Sequence, residues 1–149
     1  MKKNFFLTKL LILHLFFTSA SFADNLNYHS KAKEFFDNNQ FDKAKFLFEK
    51  DIVFNPKNEN SYLYLAKIFN NSDNEERQEL NLNSILILNP KNEEAIYMLI
   101  MLKIKQYDYD QAKELTSQFN LVCKSFCSKK KSIEDKLKKL NPEDAKKQN

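Results

Sequence analysis

Glycine and tryptophan are absent from this 149-residue chain, and Arg77 is its only arginine. Without glycine there is no loop of the kind that cradles a nucleotide's phosphates. A single guanidinium gives little means of gripping phosphates or base edges bidentately, so nucleic acid is not an expected partner. The two histidines are His14 and His29. Neither stands at zinc-type spacing from a cysteine, and no metal site is expected. Carboxylates are plentiful but form no distinctive pair, so no pattern supports acid–base catalysis. The composition points away from an enzyme and implies no cofactor. Lysine, asparagine, isoleucine and phenylalanine are abundant instead, the bias that codon drift in an AT-rich bacterial genome produces. Asparagine richness therefore carries no functional weight.

Long apolar runs are also missing, with one exception. Lys2 and Lys3 precede Leu10 to Phe17 (LLILHLFF), and Ser21-Phe22-Ala23 has small residues at the two positions a signal peptidase reads. This predicts a secretory signal peptide over residues 1–23, cleaved after Ala23, and hence an exported, periplasmic or secreted protein. The 14 residues from Leu10 to Ala23 fall short of the roughly 20 that a spanning helix needs. An uncleaved signal helix acting as a tether is the alternative. No cysteine lies near the cleavage site, which argues against a lipoprotein. Cleavage leaves 126 residues, enough for one domain with a core. The signal carries three lysines and no acid, so the net charge falls from +4 to +1. That charge is uneven, with residues 24–123 at −4 and residues 124–149 at +5.

Proline occurs only three times, and two of the three share one phrase. Asn55-Pro56-Lys57-Asn58-Glu59 recurs 34 residues later as Asn89-Pro90-Lys91-Asn92-Glu93. At the same offset Tyr28 falls over Tyr62 and Ile96, Ala32 over Ala66 and Ile100, and Phe35 over Phe69. Phe41 matches Tyr109, Ala44 matches Ala112, and Asp42 falls over Glu76 and Asp110. Such spaced agreement marks an internal repeat. Within each unit the apolar residues step by three or four, as in Tyr28, Ala32, Phe35 and Phe36, which predicts helices. Turn chemistry interrupts at Asp37-Asn38-Asn39, Asn70 to Asn74, and Gln106-Tyr107-Asp108. Ser72 with Glu75, and Asp108 with Gln111, have capping-box spacing. Each Asn-Pro stops a helix, and Asn58 and Asn92 are placed to cap the next one.

The reading is a helix–turn–helix unit of 34 residues at about 25–58, 59–92 and 93–126. A capping helix follows over 127–142, with Ile133, Leu137 and Leu140 on one face, and then a solvated tail, 143–149. An aromatic opener (Tyr28, Tyr62), small contact residues (Ala32, Ala66, Ala44, Ala112), an aromatic at the second helix (Phe41, Tyr109) and a closing proline (Pro56, Pro90) resemble tetratricopeptide repeats. Unit two departs with Glu75 and Gln78, and unit three with Lys103 and Lys124. The resemblance implies an all-α fold, a right-handed superhelix of three hairpins plus a C-terminal cap, serving as a protein–protein interaction scaffold.

In that family the first helices line a concave groove for a partner peptide or helix. By helical phase the groove would present His29, Lys33 and Phe36, then Leu63, Lys67 and Asn70, then Tyr97, Met101 and Ile104. Family members that clamp a terminal carboxylate use lysine and asparagine where this chain has Tyr64, Glu94 and Met98, so that ligand is not inferred. Cys123 and Cys127 are expected to pair in an oxidising compartment. Their spacing would place the Cα atoms about 6 Å apart on a helix, within reach of a bridge. The bridge reads as a structural staple at the end of the array, where a third Asn-Pro is missing. An envelope thiol protein cycling these cysteines is the alternative. Membrane contact is expected only through the basic C-terminal segment or an uncleaved signal.

Overall fold

A computed structural model describes residues 28–140; the expected signal peptide and tail lie outside them. Seven α-helices follow in order: α1 Tyr28–Asp37, α2 Phe41–Phe54, α3 Glu59–Asn71, α4 Glu75–Leu88, α5 Glu93–Lys105 and α6 Tyr109–Val122, then α7 Lys130–Leu140 after a 3-10 turn, Cys127–Lys129. No strand occurs among the described residues. The helices pack as hairpins α1–α2, α3–α4 and α5–α6, joined by α2–α3 and α4–α5 contacts, and α7 rests on α5 and α6. This is an all-α solenoid.

The turn inside each hairpin recurs every 34 residues on a left-handed residue: Asn39 (φ 57°), Asp73 (φ 52°) and Tyr107 (φ 59°). The next amide then reaches back five residues, Gln40 to the Phe35 carbonyl, Asn74 to Phe69 and Asp108 to Lys103, at 2.8, 2.9 and 2.9 Å. That closure satisfies carbonyls at the helix end and normally uses glycine. A chain without glycine uses asparagine and aspartate, which tolerate this backbone, and once tyrosine, which does so at a cost.

The left-handed turn also moves a cap. Ser72 terminates α3 instead of starting α4, its hydroxyl donating to the Phe69 carbonyl, and Asn74 takes the expected role by accepting from Arg77 N at 3.1 Å. Asn92 and Asp108 cap as expected, accepting from Ala95 N and Gln111 N. Asn58 does not cap; its amide nitrogen donates to Asp51 instead.

Three buried clusters run along the array. Ala32, Ala44, Phe48, Leu65, Ile68 and Phe69 join the first hairpin to α3. Leu63, Ala66, Leu82, Ile85, Ala95, Leu99 and Leu102 join the second hairpin to α5. Ile96, Ile100, Phe119 and Ile133 join the third to α7. Each unit is thus sealed by its successor, as a solenoid requires, and α7 supplies the terminal cover.

Candidate functional site

The first helices of units one and two meet around Tyr64. Phe36 approaches its ring edge-on at 4.9 Å, His29 does so at 5.8 Å, and Phe48 stacks on it at 4.9 Å with ring planes 3° apart. Lys67 Nζ lies 5.3 Å from the Tyr64 ring centroid and 2.8 Å from Glu94 Oε1. Lys33 Nζ lies 2.6 Å from Asp37 Oδ2. The hydrogen bond to Asp37 holds the Lys33 ammonium above the usual lysine range, and the Tyr64 and Asp37 charges act in the same direction. The result is an aromatic floor flanked by two lysines, each already paired within the chain. The Lys33–Asp37 pair is open to solvent, where such pairs are weak; the Lys67–Glu94 pair is half-buried, its side chains 31% and 32% exposed. Asn70 is exposed toward the end of α3.

The structure removes one of the expected groove residues, Leu63, from this surface. Leu63 is 8% exposed and belongs to the core between α3, α4 and α5; Tyr64, one position around the helix, takes the inner face. Tyr97, Met101 and Ile104 are half-buried against Ile96, Ile100, Phe119 and Ile133, as His29, Phe36 and Lys67 are on the earlier first helices. The capping segment packs beside Tyr97: Phe126 lies 6.3 Å from its ring and Lys129 Nζ lies 5.6 Å above it. Of the nine expected residues, Lys33 and Asn70 are exposed, and His29, Phe36, Lys67, Tyr97, Met101 and Ile104 are half-buried.

A second set of polar residues braces the joints between units. Asp51 is 2% exposed and accepts from Asn55 Nδ2 (3.0 Å), Asn58 Nδ2 (2.7 Å) and Ser61 Oγ (2.6 Å). His29 Nδ1 lies 2.8 Å from the same Ser61 hydroxyl. The serine stands between aspartate and histidine, the wrong order for activating a nucleophile, and its hydroxyl is buried. The network is structural. At the next joint Glu59 Oε2 accepts from Asn89 and Asn92 at 3.0 and 3.1 Å. At the last, Glu93 Oε2 accepts from the backbone amides of Lys124, Ser125 and Phe126 at 2.7, 2.9 and 2.9 Å. The closing glutamate of each repeated phrase thus grips the following joint, a role beyond its favourable place at a helix N-terminus. The amides of Phe126 and Lys124 hold the Glu93 carboxyl below the usual glutamate range.

Cys123 and Cys127 are joined by a disulfide, with Cα atoms 5.3 Å apart. The bridge does not lie on one helix. Cys123 is extended (φ −61°, ψ 136°) at the end of α6, and Cys127 opens the 3-10 turn. It closes the loop whose amides bind Glu93. Lys103, at the register of Phe35 and Phe69, is 6% exposed and reaches Glu79 at 2.6 Å. Both line a polar cleft of about 310 Å³ with Asn83, Gln111, Glu114 and Gln118. Among the described residues no group of three or more histidine, cysteine or acidic side chains is arranged to hold a metal.

The architecture is similar to the crystal structure of the Sgt2 TPR domain from Aspergillus fumigatus, with a TM-score of 0.62 over 88% of this chain and 85% of that one. The fold is that of a tetratricopeptide repeat domain. Sequence identity between the two is 15%, so the likeness speaks to the fold. No family model and no curated protein matches the chain. Within the tetratricopeptide frame, the aromatic–lysine surface occupies the first helices of units one and two, and the capping segment packs beside Tyr97 in that of unit three.

Proposed function

We propose that this protein is an exported, non-enzymatic scaffold that docks a partner segment across α1 and α3, within cell-envelope assembly or a secreted complex. The observation that carries the reading is the Phe36–Tyr64 floor between Lys33 and Lys67. Aromatic anchors beside lysine charges suit a peptide bearing an apolar side chain next to a carboxylate. Export rests on the N-terminal signal pattern, and the bridged cysteines are consistent with an oxidising compartment. The bridge acts as a staple: Cys123 and Phe126 pack against the same core as Ile133.

Lys33→Glu combined with Lys67→Glu is expected to reduce partner capture from the native envelope at least tenfold while leaving helicity unchanged. Quantitative pull-down with circular dichroism checks both. Undiminished capture by a folded double variant removes the groove reading.

A further inference from the structure

Each unit of the array stacks on the one before it through a single stripe of its first helix. In unit two Leu65, Ile68 and Phe69 bury against Ala44 and Phe48 of unit one. In unit three Leu99 and Leu102 bury against Leu82 and Ile85 of unit two, and Lys103 reaches back to Glu79. One period earlier the same stripe is Lys31, Glu34 and Phe35, with both charges exposed and the ring half-buried. The second helix repeats the pattern. Arg77 lies 4.6 Å from the Phe69 ring and takes Glu49 of unit one at 3.0 Å. Its counterpart Lys43 lies 5.4 Å from the Phe35 ring and donates to Gln40 at 2.9 Å. Unit one thus presents half of a junction.

That half-junction bounds an open hollow of about 390 Å³, lined by Lys31, Phe35, Asp42, Lys43, Phe46 and Leu47. Phe46 stands at its rim, 61% exposed. Lys31 and Glu34 form no ion pair among the described residues. The other charges here are engaged: Lys45 lies 3.7 Å from Asp42, and Lys43 and Lys50 lie over the Phe35 and Phe46 rings. An open apolar hollow at a stacking position calls for an occupant. The chain itself does not supply one. With the signal removed, as the reading of export requires, residues 24–27 precede α1, too few for a covering helix. The cap α7 lies at the other end of the array, on α5 and α6.

We propose that two copies of this chain pair through this face about a two-fold axis, with their α1 helices antiparallel. Lys31 and Glu34 are three residues apart on one stripe and opposite in sign. An antiparallel crossing between them sets each lysine against the glutamate of the other copy, the self-complementarity that an isologous contact demands. The Lys31 stem then covers Phe35 of the other copy, and the Phe46 rings flank the axis and close the two hollows. Pairing stops at two because α7 covers the stacking face at the opposite end, so copies cannot add head to tail. His29, Lys33 and Phe36 lie on the adjoining stripe of α1 and stay outside the contact. A dimer therefore carries two docking surfaces and gains avidity for a partner that bears two segments.

The test is sedimentation velocity of the full chain across the micromolar range, with residues 1–27 the same in every variant. The wild type is expected to pass from monomer to dimer with concentration and to go no further. Lys31→Glu places like charges together at both symmetric contacts and should weaken the dimer roughly thirtyfold, as should Glu34→Lys. An equimolar mixture of those two variants should associate about as well as the wild type, because each supplies the charge that the other lacks. Phe46→Ser should weaken pairing by on the order of tenfold. Circular dichroism confirms folding, which substitutions at such exposed positions leave intact. A wild type that stays monomeric overturns the proposal and leaves the face to residues 1–27 or to a different protein. So does an unchanged dimer in folded Lys31→Glu, or a mixture of the two charge variants that fails to associate. Partner capture is read separately, so this inference and the groove reading can fail independently.

Discussion

Replacing Asp51 and Ser61 with isoleucine and alanine should leave the protein nearly as stable as it is, although either change alone should cost stability. The basis is the repeat itself. One period later Ile85 and Ala95 occupy the same two positions, both fully buried and apolar. Asp51→Ile alone leaves the buried Ser61 hydroxyl with His29 Nδ1 as its remaining partner, and it frees Asn55 and Asn58 to turn toward water. Hydrogen bonds to a charged group are worth about 1.5–3 kcal/mol each, partly regained in water by the freed asparagines, so about 3 kcal/mol is expected. Ser61→Ala alone removes one of three donors to the carboxylate and should cost about 1.5 kcal/mol. Removing both partners for apolar groups of suitable shape tends toward neutrality. The double variant should therefore lie within about 1 kcal/mol of wild type, a coupling of roughly 3.5–5.5 kcal/mol. Urea unfolding followed by circular dichroism measures all four corners of the cycle. Additive losses would refute the idea that the polar network and the apolar joint are interchangeable solutions to one packing problem.

Two further outcomes follow from the joints and turns. Glu93 has a lowered folded-state pKa, so its contribution is complete above the ordinary glutamate value of about 4.3 and is lost as pH falls through the folded value. Amide exchange in α7 and the 123–127 loop should therefore accelerate below about pH 4, while Glu93→Gln should already exchange fast at neutral pH. Equal exchange of both proteins across that window refutes the anchoring role. Tyr107→Gly should raise stability by about 1 kcal/mol, since relief of the left-handed backbone exceeds the added chain entropy. A fall in the thermal midpoint would count against it.

Helix spans, turns and the repeat length were legible because each rests on interactions a few residues apart. Asn-Pro ends a helix wherever it falls, Asp108 caps its own α6, and the apolar steps of three and four mark a buried stripe. The misplaced cap at Ser72 is the local exception, because the left-handed Asp73 adds two residues to the turn. The membership of the candidate surface was not legible in this way. Helical phase places Leu63 and Tyr64 one step apart, and only the position of α4 and α5 decides that the leucine goes inward. Likewise the contact of Tyr97 with Phe126, some 30 residues further on, has no signal in the helical phase. The reach of Glu59 and Glu93 across a whole unit has no local pattern at all.

The amino-acid sequence by itself therefore determined an all-helical chain of 34-residue units with punctuated ends, since propensity, capping and periodicity act within single helices. Tertiary structure alone decided that Leu63 goes inward while Tyr64 meets Phe36, and that Asp51, Glu59 and Glu93 brace the joints between units. Those outcomes depend on neighbours a full repeat away, and stacking brings them together only when the solenoid closes on its cap.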